Sequence, residues 1–118
     1  MSFSELLVAL SLVQQPQGCR QSDICRHWAL PKQTVSSVLK QWQKQEWVTF
    51  ARDELDRRAR RVSLTSHGAA HAGKIARQII EIDNRVWNRL GKETAQLLLE
   101  TTRQYNRYYR EVFEDERT

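Results

Sequence analysis

DELDRRARRVSLTSHG, residues 53–68, opens with three acids and four arginines in nine positions, then alternates apolar and polar residues and stops at a glycine. A protein interior does not hold so many charges, and the alternation over 61–65 has the period of a half-buried strand. Residues 47–50, Trp-Val-Thr-Phe, alternate in the same way. The two runs predict a β-hairpin whose tip is the charged segment.

Upstream, apolar residues recur at helical spacing in three short segments. Ser2 followed by Glu5 fits a capping box, and Leu6, Leu7, Leu10 and Val13 form the apolar stripe of a first helix that Pro16 and Gly18 end. QSDICRHW (21–28) predicts a second helix, with Ser22 or Gln21 near its start, Asp23 in its first turn, and Ile24 and Trp28 on one face. Pro31 suits the first turn of a third helix running to about Gln45. There Val35, Val38 or Leu39, and Trp42 face inward, and Lys32, Gln33, Thr34, Ser36, Ser37, Lys40 and Gln41 face out. That outer face carries no acid, whereas a face that only needs to be soluble usually mixes both signs. Amides and hydroxyls suit base edges in a DNA major groove, and ammonium groups suit phosphates.

Charge distribution agrees. The net charge of the 118 residues is +5, and 20–61 hold ten Lys/Arg against five Asp/Glu, while the remainder holds nine of each. The whole excess lies in the segment containing the third helix and the hairpin, as expected of a surface that meets a polyanion. Apolar residues at 40% and charged residues at 28% are ordinary globular composition. Two cysteines are too few for a disulfide framework. The run LLVALSLV has no basic segment before it and is far shorter than the ~20 residues of a bilayer span, so it reads as a buried helix face in a cytoplasmic protein.

Past Gly68, Ala72, Ile75, Ile79, Ile82, Val86 and Leu90 recur three and four apart over 69–90. Gly91 interrupts, and Leu97, Leu98, Thr101, Tyr105, Tyr108, Val112 and Phe113 continue the pattern from about Thr94. Both segments predict helices of more than twenty residues, roughly 30–37 Å long. Sixty residues of hairpin and short helices cannot cover that length, so the stripes are expected to pack on each other and on a second subunit.

Three segments in this order resemble the MarR family of bacterial transcriptional regulators. SDICRHWALPKQTVSSVLKQWQKQEWV is similar to the family's helix-turn-recognition-helix, DELDRRA to its wing pattern of Asp, two residues, Asp-Arg-Arg, and LTSHG to the Leu-Thr-x-x-Gly entering its long dimerisation helix. The resemblance implies a mainly α fold with a small β-hairpin wing: a winged helix-turn-helix over 2–65, and two long C-terminal dimerisation helices over 66–116, in one domain of 118 residues. It further implies a homodimer on a pseudo-palindromic operator, acting as a repressor, with each recognition helix in a major groove. The last arginine of Asp-Arg-Arg, here Arg58, would enter the minor groove, oriented by Asp56. A narrow minor groove concentrates negative potential and selects arginine. Gln33, Thr34, Ser36, Ser37 and Gln41 are then the base-reading candidates, Lys32, Lys40 and Lys44 the phosphate contacts, and Arg57, Arg60 and Arg61 either further phosphate contacts or solvated charges. Ile75, Ile79, Ile82, Val86, Leu98, Tyr105, Tyr108 and Val112 are the dimerisation candidates.

Two departures from the family pattern carry expectations. Met1 falls near the start of the family's second helix, which throws dimerisation onto 69–116 and leaves a family-type ligand pocket short of a wall. Glu46 stands where a glycine usually separates recognition helix and wing. A second function class, a winged-helix protein–protein adaptor or a heterodimerising partner of a full-length family member, gives no reason for the Asp56–Arg58 pair. Some family members sense zinc or oxidants. However, Cys19 and Cys25 lack Cys-x-x-Cys spacing, no carboxylate cluster accompanies His27, His67 and His71, and no metal or other cofactor is expected. Cys25 reads as core, and Cys19, beside Arg20, as the better reactive thiol. Trp28, Trp42 and Trp47 read as packing residues. Trp87 with Tyr105, Tyr108 and Tyr109 reads either as dimer packing or as the wall of a site for a small aromatic effector. No phosphate loop, His-Glu-x-x-His or nucleophile–base pair suggests an enzyme.

Overall fold

The computed structural model describes residues 1–117. The chain runs α1 (Phe3–Gln14), β1 (Cys19–Arg20), α2 (Gln21–Trp28), α3 (Lys32–Lys44), β2 (Val48–Arg52), β3 (Arg60–Leu64), α4 (Ser66–Ala70), α5 (Ala72–Leu90) and α6 (Lys92–Arg117). This is a mainly helical winged helix-turn-helix with a small antiparallel sheet, as expected. Met1–Ile80 form one compact unit and the chain from Glu81 a second.

Local chemistry sets the helix ends. The Ser2 hydroxyl accepts the Glu5 amide at 3.2 Å, and the Arg20 amide donates to Asp23 Oδ2 at 3.2 Å at the start of α2. Pro31 is the N-cap of α3, one residue ahead of the expected first turn; its ψ of 143° is extended and so lies outside the helix. Val35, Val38, Leu39 and Trp42 are buried on α3 and join Val8, Leu12 and Ile24 in the core. Trp28 Nε1 donates to the Ser11 hydroxyl at 2.6 Å, which ties α2 to α1 and satisfies a buried serine.

Glu46 ends α3 with φ +60°. The Trp47 amide donates to the Trp42 carbonyl at 2.8 Å and the Glu46 amide to the Gln43 carbonyl at 3.0 Å. That is the double-bonded helix stop usually built on glycine, and the accompanying apolar contact is present, the Trp42 and Trp47 rings lying 5.8 Å apart. Glu46 thus fills the glycine's place in the same turn. A side chain in this region is strained by roughly 1–2 kcal/mol, and glycine relieves it while loosening the unfolded chain. Glu46→Gly is therefore expected to stabilise the fold by about 0.5–1 kcal/mol, measured by chemical denaturation.

The sheet has the order β1–β3–β2, all antiparallel. The hairpin is shifted slightly from its expected bounds: Trp47 precedes β2, and Arg60 belongs to β3. The third strand, β1, was not legible. Two residues carry no period, and Cys19 and Arg20 become a strand only by pairing with Val62 and Arg61, over forty residues away.

Thr65 caps α4 by accepting the Gly68 amide at 3.0 Å, and its hydroxyl donates to the Glu46 carbonyl at 2.6 Å. The helix expected over 69–90 is broken at His71 (φ −108°, ψ −85°), so α5 has 19 residues rather than more than twenty. The break lets α4 stay on the α3–β2 turn while Ala72 and Ala76 enter the core. Arg77 Nη2 takes up the Ala69 carbonyl at 2.9 Å near the break.

No described residue of α6 is buried. Ile75, Ile79, Ile82 and Val86 are 37–59% exposed, and Leu98, Tyr105, Tyr108 and Val112 are 48–66% exposed. No helix among the described residues is long and apolar enough to cross a membrane.

Candidate nucleic-acid interface

Packing of Val35, Val38, Leu39 and Trp42 into the core turns the opposite side of α3 outward. Lys32, Gln33, Ser37, Lys40, Gln41 and Lys44 are exposed, and Thr34 and Ser36 are half-buried. On the wing Arg57, Arg58 and Arg60 are exposed and Asp56 is half-buried.

The wing arginines line two surfaces, and Arg60 lines both. Arg58 and Arg60 line an open groove together with Arg20 and Arg26 of the β1–α2 segment and Lys32 at the start of α3. Asp56 is the acid among these lining residues, and Ser22 and Gln21 supply polar groups at the start of α2. Arg57 lines a second open surface with Gln43, Thr49, Arg52 and Arg60, away from Arg58. The guanidinium of Arg60 lies 4.5 Å over the Phe50 ring, which fixes its direction. Arg20, Arg26 and Arg52 were not among the sequence-based candidates. Arg20 is placed by a strand that the sequence did not reveal, and Arg26 and Arg52 look like ordinary solvated charges until the fold brings them beside the wing.

The wing loop is held by short-range bonds. Asp56 Oδ1 accepts the Arg58 amide at 3.0 Å, so the bond between them runs through the Arg58 backbone, and no ion pair joins the two side chains among the described residues. The Asp53 amide donates to the Ala59 carbonyl at 3.1 Å and closes the loop. Asp53 itself, 1% exposed, is the buried acid that sequence reasoning missed. Its Oδ2 accepts from Arg20 Nε, its Oδ1 accepts the Leu55 amide at 2.9 Å, and Arg61 Nη1 lies 3.9 Å from Oδ1. The Arg20 hydrogen bond first, then the Leu55 amide, hold its carboxyl below the usual carboxylate range. A depressed folded-state pKa means that folding favours the ionised form. The stabilisation is therefore complete above the unfolded value of about 4 and is lost as pH falls through the lower folded value. Acid unfolding followed by circular dichroism is expected to be less steep in Asp53→Asn.

The structure buries Cys19, the expected reactive thiol, and packs Cys25 against the core. Cys19 is 1% exposed, and burial first, with Asp23 adding, pushes its thiol up to about 11 against the opposing pull of Arg61. A thiol so disfavoured as thiolate is unreactive. Cys25, expected in the core, is half-buried and lines the cationic groove. Among the described residues no group of three or more His, Cys, Asp or Glu side chains could hold a metal ion. The His67 and His71 rings lie 4.5 Å apart, and His71 stacks on Trp47. In the second unit Trp87 Nε1 donates to Asp83 at 3.1 Å, and Tyr105, Tyr109 and Phe113 form an exposed row along α6.

A family model described as MarR family matches residues 1–59, half of the chain. The chain belongs to the MarR family. Its fold is shared with NMB1585, a MarR family regulator from Neisseria meningitidis, at a TM-score of 0.78 and 26% identity, over 98% of this chain and 81% of that one. The adhesin competence repressor AdcR from Streptococcus pyogenes is similar at 0.64 and 21%, covering 97% and 81%. FabT from Streptococcus pneumoniae, solved in complex with DNA, is similar at 0.64 and 15%, covering 95% and 78%. No curated protein matches at a significant level. This MarR-family chain therefore has the fold of transcriptional regulators, and the family model covers its winged helix-turn-helix from α1 to the wing loop, ending just before β3.

Proposed function

We propose that this MarR-family protein is a sequence-specific regulator of transcription, a cytoplasmic repressor that binds a pseudo-palindromic double-stranded operator as a homodimer. What supports the reading most is that Lys32, at the start of α3, and Arg58, on the wing, line one open cationic groove. A phosphate backbone lying in that groove would have the major groove on the α3 side and the minor groove on the wing side. Gln33, Thr34, Ser36, Ser37 and Gln41 read base edges in this arrangement. Lys32, Lys40, Lys44, Arg57 and Arg60 contact phosphates, joined by Arg20 and Arg26. The exposed stripes of α5 and α6, including Ile75, Ile79, Ile82, Val86, Leu98, Tyr105, Tyr108 and Val112, are the surface a second protomer covers; large apolar side chains at helical spacing along an exposed helix mark an interaction surface. A small aromatic effector would have to be enclosed by the partner protomer, because Tyr105, Tyr108 and Tyr109 are open to solvent in the single chain.

The test is a fluorescence-anisotropy titration with the DNA upstream of the protein's own gene and with a scrambled duplex, at several salt concentrations. Preferential binding of the first, at two subunits per site and with a steep salt dependence, is the expected result. Equal weak binding to both would leave only a basic surface. In the same assay Lys40→Ala is expected to weaken every duplex alike and to flatten the slope of log K against log salt by about one unit, the signature of one lost phosphate contact.

A further inference from the structure

We propose that Asp53 is a positioning residue of the DNA interface: its buried carboxylate latches the base of the wing to Arg20, at the junction of β1 and α2, and so sets where Arg58 is presented relative to α3. The inference rests on the DNA-binding reading above and adds a residue to it.

Asp53 is the one buried charged residue among those described. A carboxylate on a surface hairpin gains nothing from burial by itself, since leaving water is costly unless partners replace it. Here every partner is structural. Arg20 Nε holds one oxygen, the Leu55 amide holds the other, and Arg61 stands beside them. Arg61 also donates through Nη2 to the Gly18 carbonyl at 2.9 Å, on the same β1 side. The Asp53 amide closes the loop on Ala59, the residue after Arg58. The ladder of β2 and β3 ends at Arg52 and Arg60, and the loop beyond it, which carries Arg58, would be free to swing at its base. The latch removes that freedom, because Arg20 belongs both to β1 and to the start of α2, and α2 packs against α3. Its partner Arg20 lines the cationic groove with Arg58, so the contact that fixes the wing is part of the wall that would face the phosphates. A buried ion pair used for registry rather than for net stability is the best-attested role of such pairs.

Coupling separates this role from mere support of the fold. Operator affinity is measured for the parent, Arg58→Ala, Asp53→Asn and the double variant. Arg58→Ala is expected to weaken binding at least fivefold in the parent and less than twofold once Asp53 is asparagine, whereas Gln33→Ala, on α3, loses the same factor in both backgrounds. If Arg58→Ala loses its full factor in both backgrounds, the latch does not position the wing. Should Asp53→Asn fail to fold, Arg20→Gln runs the same cycle from the other partner. A second measurement needs no DNA. Hydrogen exchange is expected to accelerate at the Asp53, Leu55 and Ala59 amides in Asp53→Asn while α3 stays protected; unchanged wing protection overturns the proposal. A parent that does not distinguish the operator from a scrambled duplex defeats the DNA-binding reading instead, and the exchange result still decides the latch.

Discussion

Replacing Gly68 with alanine is expected to destabilise the fold by about 3 kcal/mol, the upper part of the range for overfilling a packed site. A Cβ on Gly68 would lie 2.0 Å from the Trp47 carbonyl oxygen and 2.7 Å from its carbon. These are backbone atoms, so no rotamer change can make room. Nor can the turn retreat, for three bonds hold it. Trp47 donates its amide to Trp42, its carbonyl accepts the Thr65 amide at 2.9 Å, and the Thr65 hydroxyl holds the Glu46 carbonyl. The glycine's conformation is not the issue, since it lies within α4. It is the approach of α4 to the α3–β2 turn that excludes a side chain. Thermal unfolding at one fixed protomer concentration is expected to show Tm lowered by more than about 10 °C. A loss under about 0.5 kcal/mol would mean that α4 does not meet the turn as described.

Arg58→Ala should weaken operator binding by about 1–3 kcal/mol, or roughly 5- to 150-fold, with the loss concentrated at A·T positions under the wing. The fold is expected to be untouched, because the Arg58 side chain is exposed and Asp56 holds only its amide. Arg57 gives the contrast. It lines a different side of the wing, with Gln43 and Arg52, so Arg57→Ala should weaken all sequences alike and by less. Competition titrations with duplexes altered at the A·T positions distinguish the two. An Arg58→Ala protein binding as tightly as the parent would remove the wing from the interface.

Much of this protein was determined by its sequence alone, wherever local chemistry decides. Ser2 with Glu5, the apolar spacing of α3 and the alternation that makes β2 and β3 each act over a few residues, and each appears in the structure near its expected place. The acid-free outer face of α3 follows from the same spacing, since burying Val35 and Trp42 leaves Gln33 and Lys40 outside. Tertiary structure decided what depends on distant partners. Cys19 and Arg20 form a strand because Val62 and Arg61 lie opposite; that pairing buries the Cys19 thiol and brings Arg20 to Asp53. Asp53 opens the wing pattern of Asp, two residues, Asp-Arg-Arg, but nothing in that spacing says that it is buried, and only its partners, 33 residues away in the case of Arg20, make it an anchor. The break at His71 was likewise hidden behind an unbroken apolar period, because it arises where α4 is held by the α3–β2 turn while Ala72 and Ala76 are drawn into the core. Period and capping are properties of neighbouring residues, whereas burial of a single charge or thiol is decided by whatever the fold places against it.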